Sequence, residues 1–541
     1  MPHVVNKPAT NFSTGRFGPS RSAVMCSHGA VATSQPLAAL AGVRALQAGG
    51  TAIDAAVTAA AVLNVVEPMS TGVGGDVFAI LYDAKSRKTT AMNGSGRSPR
   101  AASYEEMRRR LNGGELPPTS PLTWMVPGTV DAWCAALQYG GRISLRDVLA
   151  PAIELAENGF PVAPQTAAVW NASEKALASN AESAKAWLLP GNRAPRPGEL
   201  FRCPQLARTL RNIADGGRDA FYTGPVADAI VGFSEITGGL LSKEDLAQHR
   251  TDFTDPLRGS YRGFDVLAMP PNSQGIAALD CLAILEGFDI ASLQHGSADL
   301  MHLQMEAMKI ALLDAHRLVA DPSVSTAADL IRRGYIESRR AGISPTRASS
   351  EPGTAATHGD TVYITAVDPD GNAASFINSV YMPWGSGYTV PEMGIVLQNR
   401  GHCFSLDPSS PNAYGPGKRS RHTLSPAMVL SEGRPLLVFG FVGGDMQVQA
   451  QVQFLCNVID FGMNVQEALD APRWRYEGKG AAVALEASVP SDVRSELAKR
   501  GHQITGCEGF FGGGQAIFVD PEFKTLQAGS DSRRDGCAIG Y

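Results

Sequence analysis

Apolar positions first fall into a helical rhythm in SQPLAALAGVRALQAGG, residues 34–50. Ser34 is placed to cap this helix, Pro36 is tolerated in its first turn, and Gly49-Gly50 ends it. Thr51 opens a second, alanine-rich helix that ends near Pro68, with side chains small enough to pack closely against a sheet. The pattern then changes. Val77–Tyr82 and Thr89–Met92 predict strands around a turn at 83–88. Residues 103–350 are mostly helical patterns interrupted by breakers, with helices over Leu145–Asn158, Gln205–Ala214 and Ser297–Val319.

The segment 343–360, ISPTRASSEPGTAATHGD, has no apolar period and is predicted to be an exposed or mobile connection. The clearest β signal follows it. Thr361–Asp368 is a strand, Pro369-Asp-Gly-Asn a turn, and Ala373–Val380 a second strand. Pro fixes φ and Gly accepts φ > 0, so the turn has a mechanism. Further strands are expected at Gly394–Leu397, Leu436–Phe441 and Gln515–Val519. Met446–Phe461 reads as a helix with Val448, Val452, Leu455, Cys456 and Ile459 on one face. Residues 1–27 read as an extended arm, and no fixed-period repeat is visible.

Composition narrows the function classes. A chain of 541 residues has room for about three domains, or one or two large ones. Hydrophobic residues are 44%, mean hydropathy is −0.07, and net charge is −5, which argues against disorder. There is no basic excess or stripe, so no nucleic-acid partner is expected. No 7–15-residue apolar leader core and no 18-residue apolar run is found, so neither secretion nor a membrane span is expected. The eight cysteines are scattered without a CxxC pair, which argues against structural zinc and for reduced thiols in the cytoplasm. The sequons at Asn11 and Asn171 carry no weight without secretion. The GVGG run at 72–75 lacks the full spacing of a phosphate loop. The expectation is for neither metal nor cofactor.

Three features carry chemistry. First, the connection ends in Gly359-Asp360 directly before Thr361. If the Asp360–Thr361 bond were cut, one residue would carry a hydroxyl nucleophile and a free α-amine. That amine, with a reference pKa of about 7.7–8.0, can serve as its general base. Second, a hairpin centred near residue 370 puts Ser379 opposite Thr361 on one face, where it can orient the hydroxyl. Third, LLVFGFVGGDMQ ends a strand at Gly443-Gly444 and starts a helix with Asp445 as a plausible N-cap. Consecutive backbone N–H groups beside a helix N-terminus suit an oxyanion hole.

These features, with GGTAIDAAVTAAAVLNVVEP (49–68), STGVGGDVFAI (70–80), GRSPRAA (96–102), VPGTVDAW (126–133), MPPNSQG (269–275), GDTVYITAVDPDGNAASFINS (359–379), TLSPAMV (423–429) and FGFVGGDMQ (439–447), resemble the γ-glutamyltranspeptidase family of N-terminal nucleophile hydrolases over nearly the whole chain. The resemblance implies an α+β fold, a four-layer αββα sandwich, made as a proenzyme. Self-cleavage at Asp360/Thr361 would give a large subunit, 1–360, and a small one, 361–541, which stay associated. It further implies Thr361 as nucleophile, Ser379 in place of the family's second Thr, and Gly443 and Gly444 as oxyanion-hole residues.

The sequence departs from the family where glutathione-cleaving members hold the glutamyl α-carboxylate and α-amine. The family's Arg falls at Ser95, with Arg97 two residues on; its acidic residue falls at Cys403 and the neighbouring Gln at Arg400. Its Asn falls at Tyr381, and its paired serines at His422-Thr423. Arg400, Arg97 and His422 would make the pocket cationic, and a planar guanidinium suits a carboxylate. The pattern looks most like the family's amidohydrolase and acylase branch, which includes oxamate amidohydrolase and cephalosporin acylases. The expected activity is amide hydrolysis on small carboxylated substrates. A γ-glutamyl transferase or glutathione hydrolase with a remodelled clamp, and an unprocessed relative that only binds, stay open as alternatives. So does a homo-oligomeric state.

Overall fold

The computed structural model describes residues 21–350, 359–478, 480–506 and 510–541. Most of the arm (1–20), the sequon at Asn11, Cys507 and the central part of the connection (351–358) lie outside the described residues.

Two seven-stranded antiparallel sheets face each other among the described residues. One runs Cys537–Gly540, Ala30–Thr33, Asp360–Val367, Ala373–Tyr381, Asp76–Asp83, Lys88–Asn93, Asp252–Thr254. The other runs Val24–Cys26, Leu526–Ser530, Gly513–Val519, Arg434–Val442, Ala427–Ser431, Phe264–Ala268, Leu257–Tyr261. Side chains alternate between strand faces. In the strand Asp360–Val367, Val362, Ile364 and Ala366 join a core under helices, while Tyr363 and Val367 join the core between the sheets. A further core lies under the helices outside the second sheet, including Ile276–Leu285, Ala298–Leu318 and Met446–Ile459. Three cores separate four layers, and the fold is the four-layer αββα sandwich expected from the sequence. Both sheets take strands from each side of the 360/361 bond. That bond is therefore not a boundary between separately packed bodies.

The predicted elements recur with instructive differences. The alanine-rich helix is Ala52–Val66, buried at every residue, with a capping box between Thr51 and Asp54. The preceding helix, Pro36–Gln47, is capped by Gln35 and not by Ser34. The Ser34 hydroxyl instead donates to Glu67 Oε1 at 2.6 Å. Helix Met446–Ile459 is buried all round, not on one face, because its glutamines find backbone partners: Gln447 accepts from Ser425 N–H, and Gln453 donates to Trp474 O. The helix predicted over Gln205–Ala214 extends over Pro204–Tyr222, broken at Gly217 by a φ of 62°. Three strands between Asp252 and Ala268 fall inside the stretch read as mostly helical. Part of the N-terminal arm, Val24–Cys26, is an edge strand paired with Leu526–Ala528. No helix among the described residues is long and apolar enough to cross a membrane.

Candidate active site

The hairpin register follows the turn as far as Val362 opposite Asn378, and a bulge then sets Asp360 opposite Tyr381. Thr361 lies in that bulge, with its Oγ1 3.2 Å from Ser379 Oγ and 2.6 Å from the Asp360 carbonyl oxygen. The sequence-predicted pair is thus brought together. Ser379 Oγ accepts the Tyr381 N–H at 2.8 Å and donates its own proton to Asp360 O at 2.8 Å. With that proton committed, Ser379 can only accept from Thr361, and the single Thr361 proton is shared between Ser379 Oγ and the nearer Asp360 carbonyl oxygen. Both side chains are buried.

Gly443 and Gly444 follow the strand Arg434–Val442 with φ of 116° and 62°, a backbone that L side chains rarely adopt. A Cβ at Gly443 would stand 2.7 Å from the Phe510 ring. One built on Gly359 would come within 3.5 Å of Gly444 Cα, so the segment entering the 360/361 bond passes against this turn. Asp445 makes no side-chain cap. Its carboxylate meets Arg421 Nη1 at 3.3 Å and His316 Nε2 at 3.1 Å. The GVGG run serves close packing: Cβ atoms at Gly74 and Gly75 would collide with the carbonyl oxygens of Val396 and Ser379.

The charged part of the site centres on Arg400, which is 1% exposed. Its guanidinium lies 4.1 Å from the centre of the Tyr381 ring, and Nη1 donates to Thr423 Oγ1 at 3.0 Å. Its Nε and Nη2 have no hydrogen-bond partner among the described residues. Tyr381 is held at a φ of 84°. Beside this group, Asp76 accepts from Gly96 N–H (2.8 Å), Gln398 Nε2 (2.9 Å) and His422 Nε2 (3.2 Å). Burial pushes the Asp76 carboxyl up to about 6, against the pull of Arg400. His422 Nδ1 accepts the Leu424 N–H at 3.2 Å, which assigns its proton to Nε2. Burial, together with Arg400, Arg421 and Arg419, holds its pKa well below the usual range. His422 is therefore neutral, and the expectation that it adds positive charge is corrected. Arg97 does not join the cluster. It is 44% exposed, donates to Gly417 O, and meets Asp321 at 3.5 Å and Asp252 at 3.8 Å. Ser95 is buried, and its hydroxyl donates to Asn93 Oδ1.

Sequence reasoning missed Asp76, Gln398, Arg421 and Arg534. Asp76 and Gln398 lie within or beside motifs and gave no separate signal. Arg421 and Arg534 lie among other basic residues, in KRSR (418–421) and in the pair Arg533-Arg534, and the partners that single them out, Asp445 and Asp360, are distant in sequence. One grouping of metal-type donors occurs among the described residues: His302, Glu306 and His502. Most of its donor atoms are already engaged, His502 Nδ1 excepted. His302 Nδ1 is 2.8 Å from His502 Nε2, and Glu306 holds Lys309 Nζ and the Ser349 N–H.

Comparison with known proteins agrees with this geometry. Residues 38–541 match the family profile Gamma-glutamyltranspeptidase. The chain is 38% identical over 526 residues to the glutathione hydrolase-like YwrD proenzyme of Bacillus subtilis, covering 93% of this chain and 97% of that protein. It is 34% identical to the oxamate amidohydrolase proenzyme of Klebsiella pneumoniae, covering 96% and 100%. Its structure is similar to that of cephalosporin acylase from Bacillus halodurans, with a TM-score of 0.91 and 41% identity over 99% of each chain.

Proposed function

The chain belongs to the γ-glutamyltranspeptidase family, and on that premise we propose that it is a self-cleaving hydrolase of small amides whose acyl half bears a carboxylate. The observation that carries the substrate class is Arg400. A buried guanidinium with two unpartnered nitrogens is costly unless an anion completes it. A substrate carboxylate does so with charge-assisted, bidentate geometry. Tyr381 and Thr423 fix the guanidinium beforehand. Cys403 cannot supply the acidic partner that a γ-glutamyl α-ammonium needs.

In the precursor, Thr361 Oγ1 attacks the Asp360 carbonyl carbon and water opens the resulting ester, leaving subunits 1–360 and 361–541. The strands of the two pieces interleave in both sheets, which supports their staying associated. In the mature enzyme the Thr361 hydroxyl attacks the substrate amide and its own α-amine takes the proton. The oxyanion is held by the N–H groups of Gly443 and Gly444, the amine leaves, and water resolves the acyl-enzyme. No step calls on a metal or cofactor. Ser379 orients the nucleophile throughout. The name of the Bacillus subtilis relative favours a second reading, glutathione hydrolysis. The experiment compares kcat/KM for glutathione with oxamate-like and glutaryl amides. Glutathione as the best substrate would replace the carboxylated-amide reading with the second one.

A further inference from the structure

The scissile residue is gripped from a side the reaction above does not use. Arg534 Nη2 donates to Asp360 Oδ1 at 2.8 Å, and the same oxygen accepts the Thr361 N–H at 3.0 Å. One carboxylate oxygen thus bridges a guanidinium and the nitrogen that must leave when the chain is cut. Arg534 is fixed for this task. Its guanidinium stacks 4.2 Å from the centre of the Phe510 ring. The next residue, Asp535, caps the helix Pro164–Ala172 through the N–H groups of Gln165 and Thr166. Beyond it, Cys537–Gly540 joins the sheet beside Ala30–Thr33. Arg534 Nε is buried without a partner among the described residues, and Arg534, Asp360, Glu67 and Asp535 line one small cavity of about 10 Å³.

We propose that Arg534 is a positioning residue for both halves of the cycle: it first seats the Asp360 carboxylate against the scissile N–H, and then stands beside the new α-amine of Thr361. The inference rests on the self-cleavage proposed above. In the precursor, Thr361 Oγ1 bonds to the Asp360 carbonyl carbon, and its proton passes through Ser379 to the carbonyl oxygen. As the carbonyl re-forms and gives up that proton, the C–N bond breaks, and the nitrogen keeps the electron pair and takes up the released proton. A carboxylate oxygen accepting that N–H stabilises the positive charge as it grows. Water next adds to the ester carbon and Thr361 Oγ1 regains its proton. The balance is one peptide bond and one water in, one Asp360 α-carboxylate and one Thr361 α-ammonium out.

Asp360 then leaves with the tail of the large subunit and takes its counter-charge with it. The guanidinium that shared its oxygen with the nitrogen now faces an amine. A like charge so placed disfavours the ammonium and frees the base at lower pH. The other ionisable groups facing Arg534 are Glu67, whose buried carboxyl is pushed up to about 7, and Asp535, committed to its helix N-terminus.

The test follows freshly synthesised full-length chain by intact mass. Arg534→Gln and Asp360→Asn are each expected to slow conversion to 1–360 and 361–541 at least about tenfold, and Arg534→Lys to recover part of the rate. The matured Arg534→Gln fraction should show the acid limb of its kcat/KM profile moved up by about one pH unit, with Arg534→Lys at the wild-type position. Melting of Thr361→Ala with and without Arg534→Gln reports folding. Should that pair not fold alike, Asp360→Asn, which keeps the side-chain shape, decides the first half. Variants that convert at the wild-type rate overturn the seating role, and an unmoved acid limb overturns the second. A wild type that never splits overturns the self-cleavage reading and this inference with it. A wild type that splits while both variants keep pace overturns this inference alone.

Discussion

At the nucleophile, Thr361 and Ser379 share a backbone carbonyl oxygen, Tyr381 supplies a backbone N–H, and two glycines turn the chain beside them. At the acyl pocket, a few residues away, Arg400 stacks on Tyr381 beside Asp76 and a neutral His422, all buried. On the proposed function, the bond-breaking step therefore uses hydroxyls and backbone groups, while recognition uses side-chain charge. Backbone donors are set by φ and ψ and stay in place when side chains change. Buried charges answer to every neighbour, so substrate preference can shift while the chemistry is retained.

The comparison breaks most sharply at Thr361. Thr361→Ala removes the nucleophile for both reactions. It should leave one intact chain by mass spectrometry and lower amide hydrolysis by at least about 10⁴-fold. Splitting at 360/361 in that variant would remove Thr361 from the role. Next comes the glycine turn. Gly443→Ala and Gly444→Ala demand a strained φ, and at Gly443 the new Cβ meets Phe510. Loss of one oxyanion donor should lower turnover about 10²–10³-fold for every substrate alike. An effect confined to carboxylated substrates would mean that the turn belongs to recognition instead.

The pocket is expected to behave in the opposite way. Arg400→Gln should lower kcat/KM for carboxylated amides about 10–100-fold, the worth of a charged hydrogen bond or two. Uncharged amides should change less than about threefold. A uniform loss across both sets, measured in matured enzyme, would make Arg400 a structural support and erase the contrast.

The same division explains what could be read from the sequence. The nucleophile end was legible because its parts are local: a strand after a breaker-rich connection, a Pro-Asp-Gly turn that sets the register, and a strand–Gly-Gly–helix turn. The Thr361 bulge was not, since it arises where Asp360 is drawn toward Arg534, 174 residues away. In the pocket, Arg400 was found by position. The charge of His422 was misjudged because it depends on Arg421, Arg419 and on burial, none of which a local pattern encodes. Arg97 lay two residues from a family position, yet acids at 252 and 321 hold it. The strands at 252–268 were missed because their sheet partners, at 91–93 and 427–430, are far along the chain.

The smallest predicted effect sharpens the comparison through one buried carboxyl at each end. Glu67, behind Asp360, accepts from the Ser34 hydroxyl at 2.6 Å, and burial pushes it up to about 7 from an ordinary 4.5. A folded-state pKa above the unfolded value means that the folded chain holds the extra proton between those pH values. For this carboxylic acid, stability falls as pH rises from 4.5 through 7. Glu67→Gln keeps an acceptor for Ser34 and abolishes the titration. In the uncleaved Thr361→Ala chain it should match the parent at pH 5 and exceed it at pH 8, by up to about 2 kcal/mol in urea unfolding. The equivalent exchange at Asp76 should fail at both pH values. Two of its three donors, Gly96 N–H and Gln398 Nε2, meet Oδ1, and the third, His422 Nε2–H, meets Oδ2. An asparagine amide turned to keep the first two would point its NH₂ at the imidazole N–H. The imidazole cannot change tautomer without giving up the Leu424 N–H. Asp76→Asn should thus cost about 1–3 kcal/mol at pH 8, and more at pH 5, where the parent still gains from the proton that burial holds on Asp76. If Glu67→Gln destabilises at pH 8, the ionised carboxylate is held by Arg534, and both ends of the site are organised by charge.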